Sequence, residues 1–226
     1  MDANEKYMRL ALDLAKKGTG YVSPNPLVGC VIVKNGKIIG KGYHQKAGTE
    51  HAEIHALKAA GKRAKGATMY ITLEPCSHFG KTPPCTDAII NSKVRNVVIA
   101  MRDVNPKVNG IKILKSVGIK IKQGILEKEG KRLNEFFIKH MSTKMPFVIL
   151  KLAMTLDGKI ATPTGDSKYI TSIESRKAVH ALRHSCDAVM VGINTVLNDD
   201  PLLDTRLINK KNPLKGGFPS VNARAA

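Results

Sequence analysis

The chain has 226 residues, of which 42% are apolar and 4% aromatic, so aliphatic side chains must supply most of its core. This length exceeds a typical domain of about 100–150 residues and allows two smaller domains, while the absence of an apolar run of about 18 residues excludes a membrane span. A net charge of +19, from 37 basic and 18 acidic side chains, favours an anionic partner: a phosphorylated metabolite, a dinucleotide or a nucleic acid.

Predicted helices and strands alternate through the first part of the chain. Apolar residues at helical spacing predict a helix over residues 5–17. The pair Asn35-Gly36 between two apolar runs predicts a hairpin of strands 28–33 and 37–42. The next elements are predicted as a helix at 51–60, a strand at 68–73, a helix at 84–92, a strand at 96–101, a helix at 111–116, a strand at 119–123 and a helix at 126–141. This alternation is typical of an α/β fold with a layered sheet.

A domain boundary is predicted near residues 143–146, where the alternation begins again. Strands are predicted at 147–155 and 188–191, with a helix at 174–184 between them. Residues 212–226 have neither helical nor strand periodicity, so we interpret them as a loose tail. We therefore expect one domain over 1–145 and a small second domain over 146–226. The N-terminus has no apolar signal core, and we expect a cytoplasmic protein.

Two of the four cysteines of the sequence can be combined with one histidine into a metal centre. His51 and Glu53 stand at the start of a predicted helix, and Cys76 follows Pro75 after a predicted strand. Cys85 follows after eight intervening residues, just before another predicted helix. One imidazole and two thiolates leave the fourth position of Zn²⁺ open for water, as in catalytic zinc sites. A His-x-Glu pair with a Pro-Cys pair is the signature of zinc deaminases, in which the glutamate transfers protons.

Other interpretations of this pattern remain open at the level of the residues. A structural zinc would need a fourth protein ligand, which His78 could supply. The positive charge would also suit a deaminase that acts on tRNA or single-stranded DNA, although the long segment between the two cysteines argues against it. A third possibility is an inactive remnant that binds zinc without catalysis.

The sequence resembles the family of bifunctional pyrimidine deaminase/reductases of riboflavin biosynthesis. The resemblance runs from about residue 3 to about residue 212, and the matching stretches are 24–30 (PNPLVGC), 42–44 (GYH), 51–53 (HAE), 72–78 (TLEPCSH), 80–85 (GKTPPC), 101–106 (MRDVNP) and 151–159 (KLAMTLDGK). It implies a three-layer cytidine-deaminase-like domain followed by a partial dihydrofolate-reductase-like α/β domain. It also implies a homo-oligomer and a small phosphorylated pyrimidine substrate, with one zinc ion per chain, and it makes nucleic acid and membrane partners unexpected.

The resemblance also implies roles for individual residues in the deaminase domain. His51, Cys76 and Cys85 would bind zinc, and Glu53 would protonate the departing ammonia. The residues implied in substrate binding are Asn25, His44, His78, Lys81 and Thr82.

For the reductase domain the resemblance implies NADPH as the cofactor. The positions implied in NADP binding are Ala153, Tyr169, Thr195 and Asp199, and those implied in substrate binding are Ser167, Arg183, Leu203 and Arg206. Tyr169 stands where the family usually has tryptophan. The stretch that matches this domain is less than half as long as the family's reductase domain. We therefore expect deamination to work in this chain and the reductase half to be incomplete.

Overall fold

The computed structural model of the protein describes residues 2–80, 82–168, 170–208 and 210. The chain divides between Phe147 and Val148 into two compact units. The elements of the first unit are the helices α1 (Ala3–Ala15), α2 (Ala52–Ala60), α3 (Cys85–Asn91), α4 (Gly110–Ser116), α5 (Glu127–Leu133) and α6 (Glu135–Thr143) and the strands β1 (Gly29–Lys34), β2 (Lys37–Tyr43), β3 (Thr68–Leu73), β4 (Asn96–Met101) and β5 (Lys120–Gln123). The predicted bounds of β3 and β4 are confirmed to the residue.

The five strands form one sheet in the order β2-β1-β3-β4-β5. The pair β1 and β2 is antiparallel, as is β1 with β3, whereas β3, β4 and β5 run parallel. The turn between β1 and β2 places Asn35 at φ 49° and Gly36 at φ 72°. Both values lie in the left-handed region that a two-residue hairpin turn requires, which confirms the predicted hairpin.

Helices cover both faces of the sheet because side chains alternate along its buried strands. Ile32 of β1 faces the cluster that holds Ala56 of α2 and Leu114 of α4. The next residue, Val31, faces the opposite cluster, which holds Met8 of α1. The predicted three-layer α/β arrangement of this part of the chain is thus confirmed.

The single helix predicted over residues 126–141 was wrong, because Asn134 divides it into α5 and α6. Asn134 has φ −113° and ψ 24°, outside the helical range, and its side chain is 1% exposed. The side chain binds backbone groups of another segment, and this long-range contact overrides the helical periodicity of the surrounding sequence.

The second unit contains the helices α7 (Ile173–Ser185) and α8 (Ile193–Asp199), of which only α7 was predicted. The strands predicted at 147–155 and 188–191 were wrong, because the described residues of this unit form no strand. An isolated strand leaves its backbone N–H and C=O groups without partners, so an apolar run becomes a strand only beside another. Val148 and Leu150 are accordingly 76% and 80% exposed. The tail at 212–226 lies outside the described residues.

Helices of the described ranges are all too short or too polar to cross a membrane.

Candidate metal centre

His51 is held in place by the close packing of α2 on the sheet. It is the N-cap of α2, and its backbone oxygen accepts hydrogen bonds from the N–H groups of Ile54 and His55. The side of α2 that faces β2 lies against Gly42, where a Cβ atom would come within 2.4 Å of the Ala52 oxygen. The absence of a side chain at Gly42 therefore sets how near the sheet His51 and Glu53 lie.

Cys76 and Cys85 are brought together by hydrogen bonds between the segment after β3 and the first turn of α3. The backbone N–H of Cys85 donates to the Cys76 sulphur at 3.3 Å, and that of Thr86 donates to the Cys76 oxygen at 3.2 Å. A thiolate accepts such hydrogen bonds more strongly than a thiol, so this local geometry favours ionised Cys76.

Nδ1 of His51 completes a cluster with the two sulphurs. It lies 3.2 Å from Sγ of Cys85 and 3.5 Å from Sγ of Cys76, and all three atoms lie within 4.8 Å of one another. With bonds of about 2.3 Å to sulphur and about 2.0 Å to nitrogen, tetrahedral zinc needs N–S separations near 3.5 Å. The donor set and its spacing therefore fit Zn²⁺. Among the described residues no fourth ligand joins this group, and His78 is not part of it.

The two thiols of the cluster differ in pKa. Hydrogen bonds from Cys85 and His51 lower the pKa of Cys76 to about 4, against the opposing effect of burial. The hydrogen bond to the Cys76 sulphur, followed by burial, raises the pKa of Cys85 well above its usual range. Without a metal, the pair thus holds one thiolate, on Cys76, and zinc would ionise the second.

Glu53 lies beside the cluster in the first turn of α2 and is 3% exposed. Burial, followed by the negative charge of Cys76, raises its pKa to about 7. A carboxyl group with this pKa can both accept and donate a proton near neutral pH. Cys30, fully buried in β1, has its pKa raised by burial and by the charge of Glu53, so it stays a neutral thiol.

Asn25 and His44 form a second polar group next to the cluster. The His44 ring packs edge-on against the His51 ring, with centroids 5.3 Å apart. Its Nδ1 lies 3.2 Å from the backbone oxygen of Glu50, which can only accept, so Nδ1 carries the proton. Nε2 then accepts from the Asn25 amide at 3.1 Å, and burial lowers the pKa of His44, which favours this neutral form. The contact leaves Oδ1 of Asn25 as an acceptor.

The segment between Cys76 and Cys85 carries the other predicted substrate residues. His78 is half-buried, and its Nδ1 has no hydrogen-bond partner among the described residues. Thr82 is half-buried and its backbone oxygen accepts from Gly80. Lys81 lies outside the described residues, so its place in the site stays a prediction.

The predicted reductase residues of the second unit fall into separate places. Arg183 of α7 donates to the backbone oxygen of Asp204 at 3.3 Å, and Arg206 donates to the carboxylate of the same residue at 2.6 Å. Both arginines thus bind Asp204, the residue that follows Leu203. Thr195 and Asp199 lie on α8. No hydrogen bond or ion pair between described residues connects Ala153 or Ser167 to the arginines, and Tyr169 lies outside the described ranges.

Two buried polar residues that hold segments next to the site were not recognised from the sequence. Glu74 is 7% exposed, and its carboxylate accepts from the backbone N–H groups of Asp103 and Ile111 just before the Pro75-Cys76 pair. Asn134 binds the backbone of Leu27. A buried acid directly after an apolar strand was a usable signal for Glu74. For Asn134 the only signal was a poor helix former in a predicted helix.

Comparison with known proteins matches the chain in two regions. Residues 1–101 match the cytidine and deoxycytidylate deaminase zinc-binding region, and residues 146–218 match the RibD C-terminal domain. The riboflavin biosynthesis protein RibD of Aquifex aeolicus is 54% identical over 217 residues, which cover 95% of this chain and 61% of the relative. RibD of Escherichia coli is 47% identical over 223 residues, which cover 98% of this chain and 61% of the relative.

One solved structure is similar to most of the chain. The diaminohydroxyphosphoribosylaminopyrimidine deaminase/5-amino-6-(5-phosphoribosylamino)uracil reductase of Thermotoga maritima superposes with a TM-score of 0.90 at 51% identity, over 93% of this chain and 61% of that chain. The chain thus spans about three fifths of the length of these relatives. The two matched regions follow each other along this chain, the deaminase zinc-binding region first and the RibD C-terminal domain second, and about half of the residues are identical to those of the RibD relatives over the length that they share.

Proposed function

We propose that the first unit catalyses the zinc-dependent hydrolytic deamination of a diaminohydroxyphosphoribosylaminopyrimidine, the substrate for which the Thermotoga maritima deaminase is named. The observation that carries this proposal is the position of Glu53. It is a carboxyl group 3% exposed beside a His51, Cys76 and Cys85 cluster of zinc-binding geometry. A purely structural zinc site does not require a buried acid of raised pKa next to its ligands, whereas a catalytic site does.

The proton transfers of this reaction can be assigned to Glu53. When bound by His51, Cys76 and Cys85, zinc lowers the pKa of a water molecule towards neutrality and so supplies the nucleophile. The Glu53 carboxylate takes a proton from the attacking water as a bond forms to the ring carbon that carries the amine. The protonated carboxyl then donates to the amine nitrogen, the carbon–nitrogen bond breaks, and ammonia leaves. Water is thus consumed, ammonia is released, and Glu53 returns to its starting state.

Substrate binding is assigned to the polar residues around the cluster. The Asn25 Oδ1 atom and the half-buried His78 and Thr82 can hold the edge of a pyrimidine ring, with neutral His44 fixing the Asn25 amide. Lys81, in the same segment as His78 and Thr82, would contribute a cation for the phosphate.

Ammonia release from the diaminopyrimidine phosphoribosyl substrate tests the proposal. We expect stoichiometric ammonia and the aminouracil product with the zinc-loaded chain, and none after removal of the metal with a chelator. Activity that survives complete zinc removal would contradict the mechanism. Deamination of tRNA or an oligonucleotide, but not of the free pyrimidine, would instead support the nucleic-acid deaminase that the charge of +19 allows. Normal zinc binding with no ammonia from any of these substrates would indicate an inactive remnant.

Reduction with NADPH is the activity that the second matched region implies for the family. We propose that deamination is the working reaction of this chain and that reduction is not. In open α/β sheets a dinucleotide binds at the carboxyl ends of strands, and the described residues of the second unit form none. Oxidation of NADPH by the purified chain at a rate near that of deamination would contradict this proposal.

The cytoplasmic location and the homo-oligomer expected from the sequence remain proposals. Size-exclusion chromatography with light scattering would test the second of them.

A further inference from the structure

Asn134 makes a two-point contact with the backbone of Leu27, a residue 107 positions away in the chain. Its Oδ1 accepts from the Leu27 N–H at 2.7 Å, and its Nδ2 donates to the Leu27 oxygen at 3.0 Å. The amide therefore satisfies both polar backbone groups of Leu27, much as a neighbouring strand would. Asn134 is 1% exposed and Leu27 is 5% exposed, so no water replaces these bonds if the side chain is removed.

The position of Asn134 is fixed from its own side as well. It stands between α5 and α6, where its N–H donates to Lys131 and its oxygen accepts from Ile138. Leu133, the preceding residue, packs against the cluster of Ala15, Val22 and Leu27. The helix junction therefore fixes the position of the Asn134 side-chain amide, and the two hydrogen bonds fix the position of Leu27 in turn.

Leu27 is two residues from Asn25, in the loop that precedes β1. The Asn25 N–H donates to the Val22 oxygen at 2.8 Å, so the loop turns tightly before it reaches Leu27. At the other end of Asn25 the side chain donates to His44, which lies against the metal ligand His51. The backbone of Asn25 is thus held by the turn, and its side chain is held by His44 next to the metal centre.

We propose that Asn134 is a positioning residue, which fixes Leu27 and thereby sets the distance of the Asn25 amide from the pyrimidine bound at the metal centre. This inference rests on the proposed deaminase function. Asn134 touches neither the substrate nor the metal cluster and acts through Asn25. Since an error of about 1 Å in a positioned group can cost up to about a hundredfold in rate, a loosened loop has a measurable effect.

The test is a double-mutant cycle with ammonia release as the assay. We expect Asn134→Ala to raise KM by about tenfold, with a smaller change in kcat and with zinc content unchanged. Asn25→Ala alone is expected to raise KM by a similar factor. If Asn134 acts through Asn25, the double variant has nearly the KM of Asn25→Ala, because the two effects do not multiply.

Controls separate positioning from general stability. Asn96→Ala removes a half-buried asparagine whose Nδ2 donates to Thr68 Oγ1 at 3.0 Å, at the opposite end of the strands, and is expected to leave KM unchanged. Asn134→Ser is too short to make both bonds to Leu27, adds no buried charge, and replaces Asn134→Ala in the cycle if the latter fails to fold. Effects on KM that multiply in the double variant would overturn the inference. A wild-type chain that releases no ammonia would contradict the proposed function instead.

Discussion

The Glu74 carboxylate accepts a hydrogen bond from the backbone N–H of Ile111 at 2.9 Å and so connects the end of β3 to the first turn of α4. Its second oxygen accepts from the N–H of Asp103 at 3.3 Å. Glu74 lies two residues before Cys76. Its two hydrogen bonds therefore fix the backbone that carries this metal ligand. The same segment is held by Ser77, whose hydroxyl accepts from Asn109 at 2.8 Å.

Replacement of Glu74 by glutamine should weaken both the fold and the metal centre. Glutamine keeps one acceptor, but its NH₂ group then faces one of the two backbone N–H donors. Because the site is buried, we expect the free energy of unfolding to fall by about 1–3 kcal/mol. Urea denaturation measures this fall, and competition with a chelator should show zinc affinity reduced by about tenfold.

Glu127→Gln is the matched control for this substitution. Glu127 pairs with Lys131 at 2.7 Å on the exposed surface of α5, where such pairs contribute about 0.3–0.5 kcal/mol. Equal losses of stability in the two variants would show that the Glu74 carboxylate has no special part in holding the Cys76 segment.

Removal of the metal should expose two particular thiols to alkylation. In the zinc-loaded chain we expect neither Cys76 nor Cys85 to react with iodoacetamide. After chelation Cys76 should react first, because it is half-buried and its lowered pKa keeps it ionised, and fully buried Cys85 should follow slowly. Peptide mass spectrometry identifies the modified residue.

The other two cysteines provide internal controls for the alkylation experiment. Cys30 is fully buried and should stay unmodified in both states, while half-buried Cys186 should react equally with and without metal. Alkylation of Cys76 at the same rate in the presence of saturating zinc would contradict its assignment as a ligand.

The exchange of Glu53 for glutamine separates zinc binding from catalysis. Glutamine has nearly the same size but cannot accept the proton of the attacking water. We expect kcat to fall by about 10²–10⁴-fold, while the chain retains one zinc ion by atomic absorption. Since burial of an ionised carboxylate is costly, the variant should be no less stable than the wild type. A Glu53→Gln variant with more than about a tenth of wild-type kcat would remove Glu53 from the mechanism.

The sequence predicted the elements whose pattern is local and missed those that depend on partners. Strands β3 and β4 are short buried apolar runs with clear ends, so their bounds could be read from the sequence. The run at 147–155 is also mostly apolar, yet nothing in its residues tells whether a neighbouring strand exists. A periodicity argument likewise places Asn134 within a helix, because the Leu27 backbone it binds is remote in the chain.

The candidate site shows the same division between local and long-range information. The spacing of His51, Cys76 and Cys85 matches a known ligand pattern, and the structure places their ligand atoms within 4.8 Å of one another. The roles of Asn25 and His44 came from resemblance alone. Their direct contact and the tautomer of His44 depend on the position of the Glu50 oxygen, which no sequence pattern encodes.

Gly42→Ala should disturb the metal centre without changing any residue that contacts it. A Cβ atom at this position would lie 2.4 Å from the Ala52 oxygen, 2.6 Å from the Ala56 nitrogen and 2.7 Å from the His55 Cβ. Two of these atoms are backbone, so α2 as a whole must move away from β2. We expect the free energy of unfolding to fall by about 1–3 kcal/mol, the usual cost of overpacking a core. Because α2 carries His51 and Glu53, kcat and zinc affinity should fall together.

Gly192→Ala is the matched control, because it adds the same methyl group where no atom lies within 4 Å, and it should change none of these quantities. If Gly42→Ala lowered stability but left zinc affinity and kcat intact, the packing of α2 on β2 would not be what positions His51.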